Sequence, residues 1–163
     1  MAKKTARRKV SKSKKNNGKL STKDRKTLKS IGGLAEGVNK AAFRGRDPHL
    51  EIPSRSLSNV RYNKTKRFIE MGRGKNRREL FNLSQAKSYM QTVLVGNGCR
   101  QLINAGKTTS IRGLYYLLKH TIEGTREETF DEQKDCDPII EDVEVMLSAL
   151  REELHLYTKN AGA

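Results

Sequence analysis

The sequence predicts an α+β fold, mainly helical, and three observations predict it. Apolar residues recur at helical spacing from Ala86 to Ile103, again through Ile111, Leu114, Tyr115 and Leu118, and again through Ile139, Ile140, Val143, Met146 and Leu147. Two short β-branched or aromatic runs, Asn59 to Tyr62 and Arg67 to Met71, flank Asn63-Lys64 and stop at Gly72-Arg73-Gly74, which reads as a hairpin. The last helical run leads into the strand-like His155-Leu156-Tyr157. Short helices running into a strand are the outline of a winged helix-turn-helix domain.

Taken in order, residues 1–30 carry thirteen Lys and Arg against Asp24 alone. With so few apolar residues the segment cannot offset its chain entropy, and it reads as a disordered basic tail. Residues 31–51, with Gly32-Gly33, Gly37 and Gly45, read as a linker holding at most one short helix from Leu34 to Phe43, so the folded part is expected to begin near Ile52. Residues 52–83 form the small β region, the hairpin being completed by a third strand around Glu79 to Asn82. Residues 84–163 form the winged helix. Its first helix spans Gln85 to Asn104, capped by Ser84, weakened at Gly96-Asn97-Gly98 and ended by Ala105-Gly106. Thr109 or Ser110 caps a second helix that fades by His120 to Gly124, and a polar loop follows to Cys136. Asp137 and Pro138 then sit where an N-cap and a first helical residue belong, with Glu141 and Asp142 in a first turn that favours acids. Ser148 offers a cap for a last short helix through Leu150 and Leu154.

Composition narrows the function. Of 163 residues only 34% are hydrophobic, Trp is absent, and no apolar run is long enough to span a membrane. The N-terminus lacks the apolar stretch of a secretory signal. Cys99 and Cys136 are too few and too separated for a disulfide framework or a Cys-rich zinc site, and His49, His120 and His155 add no ligand cluster, so no metal is assigned to this chain and a reducing, cytoplasmic setting is expected. The formal charge is +16, three quarters of it in residues 1–30. Such a polycation displaces counterions from nucleic acid, which makes Lys3, Lys4, Arg7, Arg8 and Lys9 candidate DNA contacts. Twelve of the 18 acids fall between Glu123 and Glu153, read as a solvated face that a duplex would avoid.

Two tempting motifs fail. Gly106-Lys107-Thr108 lacks the earlier glycine of a phosphate-binding loop, Gln101 standing in its place, and it leaves a helix where that motif leaves a strand. Asp135-Cys136-Asp137 has no preceding buried strand to make it a magnesium site. What remains is Arg112-Gly113-Leu114-Tyr115-Tyr116 on the second helix. Neighbouring tyrosines point about 100° apart, so one can enter the core while the other faces out. Arg112, four residues before Tyr116, shares its face. A phenol is a poor nucleophile at neutral pH, and a fixed guanidinium would favour the phenolate and hold a phosphate for attack. Taken alone, the pair is a weak signal, and core or interface rings beside a solvated charge are the better reading.

The wider sequence adds weight. Ser54-Arg55-Ser56-Leu57-Ser58-Asn59, the run from Lys107 to Tyr116, Asp137-Pro138-Ile139-Ile140-Glu141-Asp142-Val143-Glu144 and Leu150-Arg151-Glu152-Glu153-Leu154 occur in an order that resembles the type IIB topoisomerases, the family that holds the meiotic double-strand-break transesterase and the topoisomerase VI A subunit. The resemblance covers residues 52–163 and leaves out the tail. It implies a CAP-like winged helix in which Tyr116 is the catalytic nucleophile and Arg112 its motif arginine, Lys107 and Arg112 lying in the DNA-binding motif. The implied reaction is a reversible transesterification that leaves a 5′-phosphotyrosyl bond and a free 3′ hydroxyl. Implied partners are double-stranded DNA, an ATP-binding B subunit and a second A subunit, and the implied cofactor is Mg2+ held by a Toprim domain. Two features depart from the pattern: Gly113 stands where the family usually has an acid, and the chain ends before any Toprim domain. The chain is therefore expected to be a fragment or truncated product of a nucleoid-associated enzyme, binding DNA but cutting it poorly or not at all. The competing expectation is a stand-alone winged-helix DNA-binding protein.

Overall fold

A computed structural model describes residues 20–158, which form four helices and three two-stranded sheets. Helix α1 (Thr22–Phe43) starts at a capping box in which the Ser21 hydroxyl accepts from the Asp24 amide at 3.1 Å while the Asp24 carboxylate accepts from the Ser21 amide at 3.0 Å. Its apolar face carries Leu28, Ile31 and Leu34 onto the core. This corrects the reading of residues 22–30 as disordered tail and of 31–43 as linker. The cations lie on the outer side of a helix whose inner stripe repeats every three to four residues, and tertiary burial outweighs the cost of about 1 kcal/mol for each of Gly32, Gly33 and Gly37. Lys3, Lys4, Arg7, Arg8 and Lys9 lie outside the described residues.

Strand β1 (His49–Pro53) begins three residues before the expected start of folded chain at Ile52, with Leu50 and Ile52 buried. It pairs antiparallel with β4 (Lys75–Glu79) in the register Leu50↔Arg78 and Ile52↔Asn76. The third strand is thus found a few residues earlier than Glu79 to Asn82 and in a different sheet. A 3-10 turn (Leu57–Asn59) leads to β2 (Val60–Asn63), which pairs with β3 (Phe68–Met71) as the expected hairpin.

Helix α2 (Leu83–Ala105) is capped by Asn82, whose side chain accepts from the Ser84 amide, and not by Ser84. It ends on Gly106 at φ +60, a left-handed conformation suited to glycine. Gly98 does not break it. A Cβ there would lie 3.1 Å from both Leu114 and Leu118, so the glycine lets the next helix pack close. Strand β5 (Thr109–Ser110) leads into α3 (Ile111–Leu118), and β6 (Leu156–Tyr157) pairs with β5 in parallel.

Helix α4 (Gln133–Leu147) begins about a turn before the expected Asp137 cap. The Asp135 carboxylate accepts from the Glu132 amide at 2.9 Å and fixes that start, and Pro138 lies inside the helix. Ser148 is not a start signal but the left-handed end of α4 at φ +50, and the last helical piece is a 3-10 turn (Arg151–Leu154). The core joins Ile31 to Val95, Cys99, Ile103, Leu114, Phe130, Ile140, Val143, Leu154 and Leu156. Burial pushes the Cys99 and Cys136 thiols up to about 12, which keeps both protonated and inert.

The acidic stretch is not simply a solvated face. Asp142 is 6% exposed and accepts from Arg78, while Arg55 reaches it at 2.9 Å and also pairs with Glu141. Arg78 is further held by Thr92 Oγ1 at 2.8 Å. Glu144 takes Arg151, Asp131 takes Lys87, and Glu128 takes Lys119. The acids of α4 and its preceding loop therefore serve as counter-charges for other elements.

Candidate functional site

The site is assembled at the start of α3. Ser110 ends β5 in an extended conformation, and its hydroxyl accepts from the Gly113 amide at 3.0 Å, which fixes the first turn. A Cβ on Gly113 would collide with Thr109 Oγ1 and sit 3.3 Å from Ser110 Oγ. The local packing of the Thr109-Ser110 cap thus accounts for a glycine at this position.

From that start the helix turns its two tyrosines apart. Tyr115 is buried, its hydroxyl donating to the Asp131 carbonyl at 3.3 Å, with Lys119 Nζ 5.6 Å above the ring. Tyr116 is 60% exposed. The Arg112 Nη2 donates to its hydroxyl at 3.3 Å, and the guanidinium carbon lies 5.7 Å from the ring centroid. The two rings stand 5.1 Å apart, tilted by 59°. The hydrogen bond to Tyr116 holds the Arg112 guanidinium above its ordinary range, so it is cationic at every working pH. One phenol is committed to the core and the other is presented to solvent beside a fixed cation, as the 100° spacing requires.

Lys107 follows the α2 cap in an exposed position, and among the described residues its side chain forms no hydrogen bond to Arg112 or Tyr116. Its carbonyl is used instead, accepting from His155 Nδ1 at 2.9 Å. His155 Nε2 faces Asp24 Oδ1 at 3.2 Å. Through these two contacts His155 ties α1 to the residues that precede β5. Asp24 is 131 residues away in sequence, which is why spacing shows no acidic neighbour of His155. Burial raises the Asp24 carboxyl, but hydrogen bonds from Ser21 and His155 outweigh it and hold the group below its usual range. Among the described residues no group of three or more His, Cys, Asp and Glu is placed to hold a metal ion. No helix among them is long and apolar enough to cross a membrane.

Comparison with known proteins meets this geometry. Residues 87–156, which contain α3 whole, match the family model described as type IIB DNA topoisomerase. The chain is 40% identical over 144 residues to the A subunit of type 2 DNA topoisomerase 6 from Pyrococcus horikoshii, covering 88% of this chain and 38% of that relative. It is 39% identical to the same subunit of Pyrococcus abyssi over the same shares, and 36% identical to that of Hyperthermus butylicus over 77% of this chain and 34% of the relative. The chain thus spans between a third and two fifths of the length of these curated relatives.

Proposed function

We propose, from the membership of residues 87–156 in the type IIB DNA topoisomerase family, that this chain is the front part of an A subunit, supplying the tyrosine that breaks and reseals DNA. One observation carries the choice of residue. Of the two adjacent tyrosines, Tyr116 is exposed and bonded to Arg112, whereas Tyr115 is buried with its hydroxyl already committed to Asp131.

In the proposed step the Tyr116 phenolate oxygen attacks a backbone phosphorus. The new bond joins the tyrosine oxygen to the 5′ phosphate, the bond to the 3′ oxygen breaks, and that oxygen leaves as a hydroxyl once protonated. Reversal reseals the strand, so no net energy is needed for the chemistry itself. Arg112 donates to the phenol oxygen in the resting state, and its remaining N–H groups suit a phosphate oxygen at the moment charge builds there. Helices α2, α3 and α4 with the β5–β6 pair support reading this part as a winged helix that presents α3 to the duplex. Magnesium, which the resemblance implies, finds no fitting donor set among the described residues, so no step is routed through it. An ATP-binding B subunit belongs to the same proposal, as does a second copy of the A subunit to cut the other strand.

The test supplies this chain with the remaining length of an A subunit in trans, the B subunit, ATP, Mg2+ and supercoiled DNA, then denatures the mixture and looks for protein joined to 5′ ends. Tyr116→Phe is expected to abolish the adduct while noncovalent DNA binding persists, and Tyr115→Phe to retain it. Adducts that survive Tyr116→Phe overturn the assignment.

A further inference from the structure

The β2–β3 hairpin stands out from the helices, and its two faces differ. The register Val60↔Met71 and Tyr62↔Ile69 places four apolar residues on one face. Tyr62 is 61%, Ile69 69% and Met71 46% exposed and Val60 is half-buried, so most of that face is left open among the described residues. A lone two-stranded hairpin is marginal in water, yet this one is braced at both ends. At the tip, Asn63 Oδ1 accepts from the Thr65 and Lys66 amides and its Nδ2 donates to Glu70 at 3.0 Å. At the base, Asn59 Nδ2 donates to the carbonyls of Ser54 and Gly74, and Asn59 Oδ1 accepts from the Gly74 amide. A Cβ at Gly72 would collide with Asn59, and one at Gly74 would lie 2.8 Å from Asn59 Oδ1, so the glycines make room for this knot.

Charge decides what the braced face meets. In the adjoining β1–β4 pair every strand cation has an acidic partner: Lys75 takes Glu51, Arg77 takes Glu79, and Arg78 takes Asp142. In the hairpin Arg61, Lys64, Arg67 and Arg73 are exposed and enter no ion pair among the described residues, only Lys66 being matched, to Glu70. We infer that the β2–β3 hairpin is a second contact for duplex DNA, laid into a groove with its apolar face toward sugars and base edges and the tip and base cations Lys64, Arg67 and Arg73 on the flanking phosphates, Arg61 standing on the opposite face beside Glu70. The inference rests on the DNA-acting reading above but uses residues remote from Tyr116 in sequence.

The experiment measures binding of the full chain to a short duplex across a salt series. Replacing Lys64, Arg67 and Arg73 together by Gln is expected to flatten the slope of log affinity against log salt by about 2 to 3, each phosphate contact contributing about 0.9. Ile69→Ser with Tyr62→Ser is expected to weaken binding severalfold at unchanged slope and to reduce end-to-end bending of a doubly labelled duplex. Single Gln variants, each expected to move the slope by about 0.9, serve if the triple variant does not fold. A wild-type chain that binds DNA with a slope none of these cation variants changes overturns this inference alone. A wild-type chain that binds no duplex overturns the DNA-acting reading with it. Loss of a protein contact by the apolar variant, with DNA binding intact, assigns the face to a protein and likewise overturns it.

Discussion

The β1–β4 and β2–β3 pairs lie on one continuous stretch of chain and treat the same ingredients in opposite ways. In β1–β4 the apolar residues Leu50 and Ile52 are buried and each cation is matched, whereas in β2–β3 the apolar face is open and four cations are not. The Asn59 knot marks the change from one regime to the other. Of the matched cations only Arg78 is drawn into the interior, where an unpaired ion is costly, while Lys75 and Arg77 pair at the surface. A ribbon kept for a polyanionic partner must leave its cations unpaired. Helix α3 repeats the contrast within two residues, Tyr115 serving the core and Tyr116 the surface.

The comparison is sharpened most by Arg78→Met. Asp142 would lose one of the two arginines that compensate it, and a loss of about 3 kcal/mol in urea unfolding is expected, against less than about 0.5 kcal/mol for Arg61→Gln in the hairpin. If the two cost the same, the division between matched and unmatched cations has no energetic meaning. Asn59→Ala should cost about 2 kcal/mol, since it removes the bonds that join the two pairs. Hydrogen exchange should then show β2 and β3 amides opening while β1 and β4 stay protected. On α3, Tyr115→Phe should cost about 1 kcal/mol through its bond to Asp131, and Tyr116→Phe should leave the thermal midpoint nearly unchanged. The smallest effect concerns acid. The Asp24 carboxyl is held below its usual 3.8, so its contribution is present above that value and is lost as pH falls through the lower folded value. The thermal midpoint should therefore fall at the acid end, and Asp24→Asn should blunt that part of the fall.

Much of this is legible in the residues. The hairpin, the two long apolar periodicities, the strand-like segment at Leu156 and the opposed tyrosines all follow from spacing that the fold obeys. The larger failures share a cause, which is partners distant in sequence, while the shifted helix starts come from a competing local cap. Helix α1 looks like solvated tail until Ile31 is seen to reach the core formed by α2, α3 and α4. Asp137-Pro138 is a sound start signal locally, but Glu132 and Asp135 provide an earlier one. The acids of α4 read as surface until Arg55 and Arg78 arrive from the β region. The arginine at the tyrosine is visible because it sits four residues away on one helix. The histidine clamp is not, because its two acceptors come from distant parts of the chain.

The parallel pairing of Thr109-Ser110 with Leu156-Tyr157 sets an order of events during synthesis. Helices α1 and α2 can associate as soon as they leave the ribosome, but the strand that anchors the start of α3 is completed only when a segment about 50 residues later has been made. Such a closure over long sequence distance is slow compared with local helix formation. The surface carrying Tyr116 is therefore finished near the end of this stretch of translation, and a nascent chain stalled before residue 156 carries its tyrosines on a helix whose entrance strand still lacks its pair.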